Sequence, residues 1–202
     1  MSVVVGDIEA DGLLREATRV WCGCFINLDT GEKFEFGPDQ VGEMLEYMDT
    51  CPVLVFHNGI NYDFPLLKKL HGYEYKGCVV DTALMSRLQD PERKAPFNCP
   101  TKNKPHSLEA FGYRVGRGKP SHEDWSQYSE DMRHRCSEDT EILRLTYSYL
   151  KEEGGPAWRD AHKLTHELFT VLQEQEQYGW LVDQDWIHKA ISMLSHWIER
   201  ID

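Results

Sequence analysis

The sequence has no apolar run near the roughly 20 residues that a bilayer-spanning helix needs, and its mean hydropathy is −0.56. No membrane-spanning helix is expected within it. No cationic segment precedes the apolar start SVVV, and acids follow at once at Asp7, Glu9 and Asp11. That is a poor secretory signal, so a cytoplasmic chain is expected. C-x-x-C is absent: the six cysteines sit at irregular spacings, with one C-x-C at Cys22 and Cys24. Cys99 with His106 has no complementary pair to complete a zinc site. A chain able to build its own core rarely needs disulfide staples, so reduced, partly buried thiols are expected. Repeats and low-complexity tracts are missing too. Basic charge is scarce, with 22 Lys and Arg against 34 Asp and Glu and a net charge of −12. Such a chain does not coat nucleic acid or an anionic membrane through bulk charge. Any dealings with a polyanion must pass through a local basic patch or bound metal ions.

What is present is a foldable chain of 202 residues, 41% hydrophobic and 28% charged. It is long enough for one domain with an added element, or for two small domains. SVVVGDI at 2–8 reads as a buried strand and RVWCGCFINL at 19–28 as a second, with a turn at Asp29–Gly31 leading to a hairpin partner over 32–36. A helix carrying Val41, Met44, Leu45 and Met48 follows, then VLVF at 53–56 as a core strand. FPLLKKLHG at 64–72 reads as a helix closed by Gly72, CVVDT at 78–82 as a strand, and ALMSRLQ as a helix stopped by Pro91. Residues 90–105 form a proline-rich loop, 107–116 a short helix, and Ser129 to Leu150 one long helix. This order predicts an α/β fold, a mixed β-sheet flanked by α-helices. Gly154-Gly155-Pro156 marks the domain boundary, dividing residues 1–155 from a helical extension at 156–202 with two helices near 159–177 and 184–201. The apolar stripe Leu164, Leu168, Val171, Leu172, Ile187, Ile191, Leu194 and Ile198 on that extension suits a core face or a partner surface.

Charge is unevenly placed. From Arg93 to Lys119 there are seven Lys or Arg and one acid, Glu109. A solvated loop explains this, and so does a flap that grips a phosphate backbone at one point. The carboxylates are more telling. Asp7 and Glu9 stand two apart on an apolar strand and therefore share a face. Two like charges on a core strand are costly unless something neutralises them. A divalent cation with a preference for hard oxygen would do so; a strand end at the surface would also tolerate them. In FHNGINYD at 56–63, Asp63 stands just beyond the carboxyl end of a strand, where open α/β sheets bind ligands, although an N-capping role would suit it equally. Asp139 lies on the long helix, and Asp81 is a strand-terminal acid with a structural or supporting role.

D-I-E near the N-terminus, H-N-G-x-x-Y-D, and a helix bearing H-x-x-x-x-D together resemble the three-motif pattern of the DEDD 3′–5′ exonucleases, which have a ribonuclease H-like fold. VFHNGINYDFPLLKKL, VDTALMSRL and HSLEAFGYRVG are similar to segments of the proofreading domain of family A DNA polymerases from short-tailed bacteriophages. The resemblance covers residues 3–150. LQEQEQYGWLVDQDWIHKAI is similar to the stretch where such polymerases pass from exonuclease into polymerase. No polymerase motif could fit in what remains, so the sequence is expected to be an exonuclease part alone, either a natural split subunit or a piece cut from a longer chain.

The resemblance implies that Asp7, Glu9, Asp63 and Asp139 hold two divalent cations, Mg²⁺ or Mn²⁺. Asp7 would bridge, Glu9 and Asp139 would serve the nucleophile side, and Asp63 would reach the second ion partly through water. The implied substrate is the 3′ end of single-stranded or frayed DNA, the product a nucleoside monophosphate, and the partner a polymerase domain or subunit in the host cytoplasm. One position departs from the pattern. Where these domains carry a Tyr four residues before the last Asp, this chain has Arg135, which stays protonated at neutral pH and cannot act as a base. His134, five residues before Asp139, matches the branch that uses a His base, and it is the expected catalytic base; Arg135 would then contact a phosphate. Asn58 and Leu13 are candidate contacts to the terminal nucleotide, the role of His57 is open, and His106 is expected to cap its helix with Ser107. Two other functions compete: an RNA or short-oligonucleotide 3′–5′ exonuclease, and a non-catalytic subunit that docks on a polymerase.

Overall fold

The computed structural model describes residues 2–118 and 124–201. Apolar-rich segments form the strands β1 (Val3–Ala10), β2 (Val20–Asn27), β4 (Val53–Phe56) and β5 (Cys78–Asp81), while the alternating KFEF segment forms β3 (Lys33–Phe36). The sheet order is β3-β2-β1-β4-β5. β1 runs antiparallel to β2 and parallel to β4, and β4 runs parallel to β5. The mixed sheet flanked by helices is as the sequence predicts.

The helices are α1 (Val41–Thr50), α2 (Asp63–His71), α3 (Thr82–Gln89), α4 (Leu108–Arg114), α5 (Glu130–Gly154), α6 (Arg159–Tyr178) and α7 (Gln184–Glu199), with a 3₁₀ turn at Pro156–Trp158. Their ends carry the expected signals. Gly72 closes α2 with φ 65°, and the Ser129 hydroxyl accepts from the Met132 N–H at 3.1 Å to start α5. The Ser107 hydroxyl accepts from the Ala110 N–H at 3.2 Å and caps α4 without help from His106, which turns instead to the Ser86 hydroxyl at 2.8 Å.

The period of two along β1 sorts its side chains. Val4, Ile8 and Ala10 pack with Met44, Met48, Leu66 and Leu67 of α1 and α2, whereas Val5 packs with Ile142 and Leu143 of α5. Asp7 and Glu9 share the parity of Val5 and so belong to the α5 side. A Cβ on Gly6, on the α1 and α2 side, would lie 2.5 Å from Phe25 Cδ1 and 3.0 Å from Phe56 Cζ.

Pairing of β1 with β4 ends at Val5 opposite Val55, while pairing with β2 continues to Ala10. The second half of β1 thus runs beyond the end of β4, and the sheet opens there. Two compact units divide the chain, Met1–Leu168 and Phe169–Asp202. The first part of α6 belongs with the sheet, because the Asp81 N–H donates to His166 Nε2 at 2.7 Å. Neither α6 nor α7 contains a buried residue, and Leu164, Leu168, Val171, Leu172, Ile191, Leu194 and Ile198 are all exposed. Among the described residues no helix is long and apolar enough to cross a membrane. All six cysteines are free thiols, and only Cys78 is exposed.

Gly6→Ala forces its methyl into two aromatic rings that are themselves fully buried. The expected loss is about 1–3 kcal/mol of unfolding free energy, read from the urea midpoint at unchanged slope.

Candidate active site

Beyond the end of β4 the chain turns through His57–Tyr62 and enters α2 at Asp63. One carboxylate holds this turn. Asp81 Oδ1 accepts from the N–H groups of Asn58 (3.0 Å), Ala83 (2.9 Å) and Leu84 (3.3 Å), and Oδ2 accepts from that of Ile60 (3.2 Å). Asp81 therefore caps α3 and organises the preceding turn together. Asn58 takes φ 66°, a left-handed conformation that Asn tolerates better than most residues. The Tyr62 hydroxyl donates to the Gly12 carbonyl at 2.6 Å, tying the turn to the chain beyond β1. The Thr82 hydroxyl donates to the Phe56 carbonyl at 3.2 Å and meets His57 Nδ1 at 2.8 Å. With its single proton committed to Phe56, Thr82 accepts from His57 Nδ1.

The turn, β1 and α5 enclose a cavity of about 620 Å³ whose walls include Asp7, Glu9, Asn58, Tyr62, Asp63, Arg135 and Asp139. One carboxylate oxygen each from Asp7, Glu9 and Asp139 lie within 4.8 Å of one another. Asp63 is buried beside them. Burial, and then the charge of Asp7, push its carboxyl well above the usual 3.8, despite hydrogen bonds from its own N–H and that of Ile8. Tyr62 is likewise raised, by burial first and then by Asp63, Glu9, Asp11 and Asp7. The cavity is thus a concentrated negative site. Its donors are hard carboxylate oxygens, a set that suits a divalent cation. Asp7, Glu9 and Asp139 fit such an ion, and Asp63 lines the same cavity.

The structure separates the two candidates on α5. Residues four apart on a helix are offset by about 40°, residues five apart by about 140°. Arg135 therefore stands over Asp139, and His134 does not. Arg135 Nε lies 3.8 Å from Glu9 Oε1 and 3.9 Å from Asp139 Oδ2, and the guanidinium lies 5.3 Å from the centroid of the Trp125 ring. His134 is exposed, is absent from the cavity wall, and adds to the positive surroundings of Glu138. The expected base, His134, thus stands outside the cavity wall in this structure, while Arg135 stands on it. Leu13 is 72% exposed and also lies outside the cavity wall, while Leu14 packs on the core. Arg87, Asn103, Lys104 and His106 do line the cavity, although the spacing of the motifs gives no sign of them.

No protein-family model matches the sequence. Over 159 residues, 69% of this chain and 22% of the relative, it is 30% identical to the DNA-directed DNA polymerase of Escherichia phage T7. The same figures hold for the DNA-directed DNA polymerase of Enterobacteria phage T3. The chain belongs to the DEDD 3′–5′ exonuclease superfamily. It spans about a fifth of the length of the polymerase relatives that it matches. Among solved structures, Brucella melitensis NrnC with bound Mg²⁺ superposes with a TM-score of 0.64 at 17% identity, covering 90% of this chain and 89% of that one. Escherichia coli RNase D, an exoribonuclease involved in structured RNA processing, gives 0.59 at 16% identity, covering 86% and 45%. These likenesses establish the ribonuclease H-like fold of this DEDD chain.

Two outcomes follow from the carboxylates. Asp81→Ala leaves four backbone N–H groups without their acceptor and should cost about 2–4 kcal/mol, measured by chemical denaturation. Asp63 binds its proton more tightly in the folded than in the unfolded chain. The stability this contributes is full below the unfolded value near 3.8 and is lost as pH rises through the folded pKa. In EDTA, the unfolding free energy of wild type minus that of Asp63→Asn should fall as pH rises across that window. A difference that stays flat with pH would contradict the assignment.

Proposed function

We propose that this protein is a divalent-metal-dependent 3′–5′ exonuclease that hydrolyses the terminal phosphodiester at single-stranded or frayed DNA 3′ ends and releases nucleoside monophosphates. The observation that carries the reading is the convergence of Asp7, Glu9 and Asp139 oxygens within 4.8 Å, beside buried Asp63, in a chain of the DEDD superfamily. In this reading Asp7, Glu9, Asp63 and Asp139 hold two Mg²⁺ or Mn²⁺ ions. Such ions supply an activated water and stabilise the departing 3′-oxygen.

The remaining chemistry belongs to the chain. Its carboxylates fix the position of the bound charge, and the Asp81 cap keeps the Asn58 turn in place against the terminal nucleotide. Arg135 is already held against Glu9 and Asp139 by attraction, and a substrate phosphate arriving there gives its guanidinium a third anionic partner. Leu13, exposed just beyond β1, serves as a contact for the terminal base. At the cavity itself the bound cations reverse the local field of a chain of net charge −12, so that the scissile phosphate can settle there.

Residues 1–155 act as the exonuclease domain in this proposal, and 156–202 as a helical extension that joins or docks on a polymerase, as the proofreading part of a phage-type replicative enzyme. The exposed apolar residues of α6 and of α7 suit helices that find their cover on a polymerase body. A second reading, a trimmer of RNA ends or short oligonucleotides, draws support from the fold shared with RNase D and with the NrnC structure bound to pGG.

The test follows 5′-labelled single-stranded DNA and RNA of equal length with time in Mg²⁺ and in Mn²⁺. The wild type should give a ladder shortening from the 3′ end, abolished by EDTA and reduced about 100-fold or more by Asp7→Ala. Faster cleavage of the ribose strand would favour the second reading, and intact strands of both kinds would leave the non-catalytic docking subunit.

A further inference from the structure

Residues 90–107, between α3 and α4, contain neither helix nor strand. Structureless loops longer than about 12–15 residues are uncommon inside compact domains and are usually functional or slack. This one is not slack. Arg93 is 6% exposed and forms two parallel bonds to Glu153, at 2.9 and 2.5 Å, across 60 positions of sequence. Arg114 donates to the Lys94 carbonyl at 2.6 Å. Cys99 is 1% exposed, and its N–H donates to the Pro96 carbonyl at 3.0 Å. The Thr101 hydroxyl donates to Glu109 at 2.8 Å.

Between these anchors stands Phe97, which is 95% exposed. Single exposed apolar residues are ordinary on protein surfaces. Here the flanking backbone is pinned on both sides, and the ring is held out with Lys102 Nζ 5.6 Å from its centroid. The Cα atoms of residues 102 and 104 are at most about 7 Å apart, and Lys104 lines the cavity with Asn103, His106 and Arg87 of α3. An aromatic face and a row of cations thus lead to the rim of a site whose lining includes the carboxylates of Asp7, Glu9, Asp63 and Asp139.

We propose that the 91–106 loop is a guide for single-stranded nucleic acid. Phe97 stacks on a base upstream of the scissile nucleotide, and Lys102, Lys104 and Arg87 neutralise the phosphates between that base and the cavity. The inference rests on the exonuclease reading for its polarity and extends it to the strand outside the cavity. Base stacking on an aromatic side chain is tolerant of sequence and of sugar, which suits an enzyme that must accept any 3′-terminal sequence. The cations offset the repulsion that an acidic body exerts on an approaching strand.

The experiment measures binding by fluorescence anisotropy of the full chain in EDTA, where no cleavage competes. The probes are 5′-labelled oligothymidylates and oligouridylates from dinucleotide to octanucleotide. Wild-type affinity should rise with length. Phe97→Ala should lose about 5- to 100-fold on the octanucleotide, Phe97→Leu should lose as much, and Phe97→Trp should restore the affinity. Equal losses on both sugars mark stacking, and the tighter series identifies the preferred strand. Replacing Lys102 and Lys104 together with Ala should lower the salt slope by about one unit for each phosphate that is no longer neutralised. Equal octanucleotide affinity in wild type and Phe97→Ala overturns the guide whatever a cleavage assay shows. Loss of affinity in Phe97→Ala, found with a wild type that cleaves nothing, keeps the guide and sinks only the exonuclease reading.

Discussion

Everything at the cavity depends on the seating of α5 across β1 and β2. The Cys136 thiol donates to the Asp7 carbonyl at 3.3 Å, and the Thr140 hydroxyl reaches the Cys24 carbonyl at 3.2 Å. Ile142 and Leu143, both fully buried, complete the contact. These bonds fix the rotation of the helix about its own axis. A rotation of one residue, about 100°, would carry Asp139 away from Asp7 and Glu9. Packing and these two hydrogen bonds therefore set the geometry of the charged site, to which the attraction of Arg135 for Glu9 and Asp139 adds a smaller part.

The converse constraint acts on stability. Four carboxylates converge where desolvation and mutual repulsion both work against them, as the raised Asp63 shows. The fold accommodates this by opening the sheet where β4 stops, by placing Arg135 against two of the acids, and by spreading the turn's hydrogen bonds over Asp81. Arg135 takes up only part of the charge, at distances nearer 4 Å than 3 Å. The arrangement is a site strained toward cations and held together by the hydrophobic layers on either side of the sheet.

Much of this was legible in the residues, for local reasons. Period-two alternation placed Asp7 and Glu9 on one face of a strand, and the glycine, proline and serine signals marked the helix ends. What escaped depended on longer range or on helix phase. Helix spacing sets Arg135 nearer than His134 to the face of Asp139, but that this face meets Asp7 and Glu9 depends on the seating of Cys136 and Thr140 on the sheet. His106 sits beside a helix start and reads as a cap, yet its partner is Ser86, twenty positions away in α3. Residues 90–105 read as a proline-rich loop, solvated or a basic flap, and what anchors it stayed hidden because the pairing of Arg93 with Glu153 links segments far apart in sequence. Lys104 and Arg87 enter the cavity through that same folding.

The thiols carry a practical consequence. Cys22, Cys24 and Cys136 are buried together behind the carboxylates, and burial pushes the Cys136 thiol well above its usual range. Cys51 and Cys99 are buried as well, and Cys78 alone reaches solvent, at the first residue of the edge strand β5. A thiol-selective fluorophore or spin label would accordingly settle at one position of the wild-type chain. The molecule comes with its own single attachment point for distance and mobility measurements, with no cysteine to remove first.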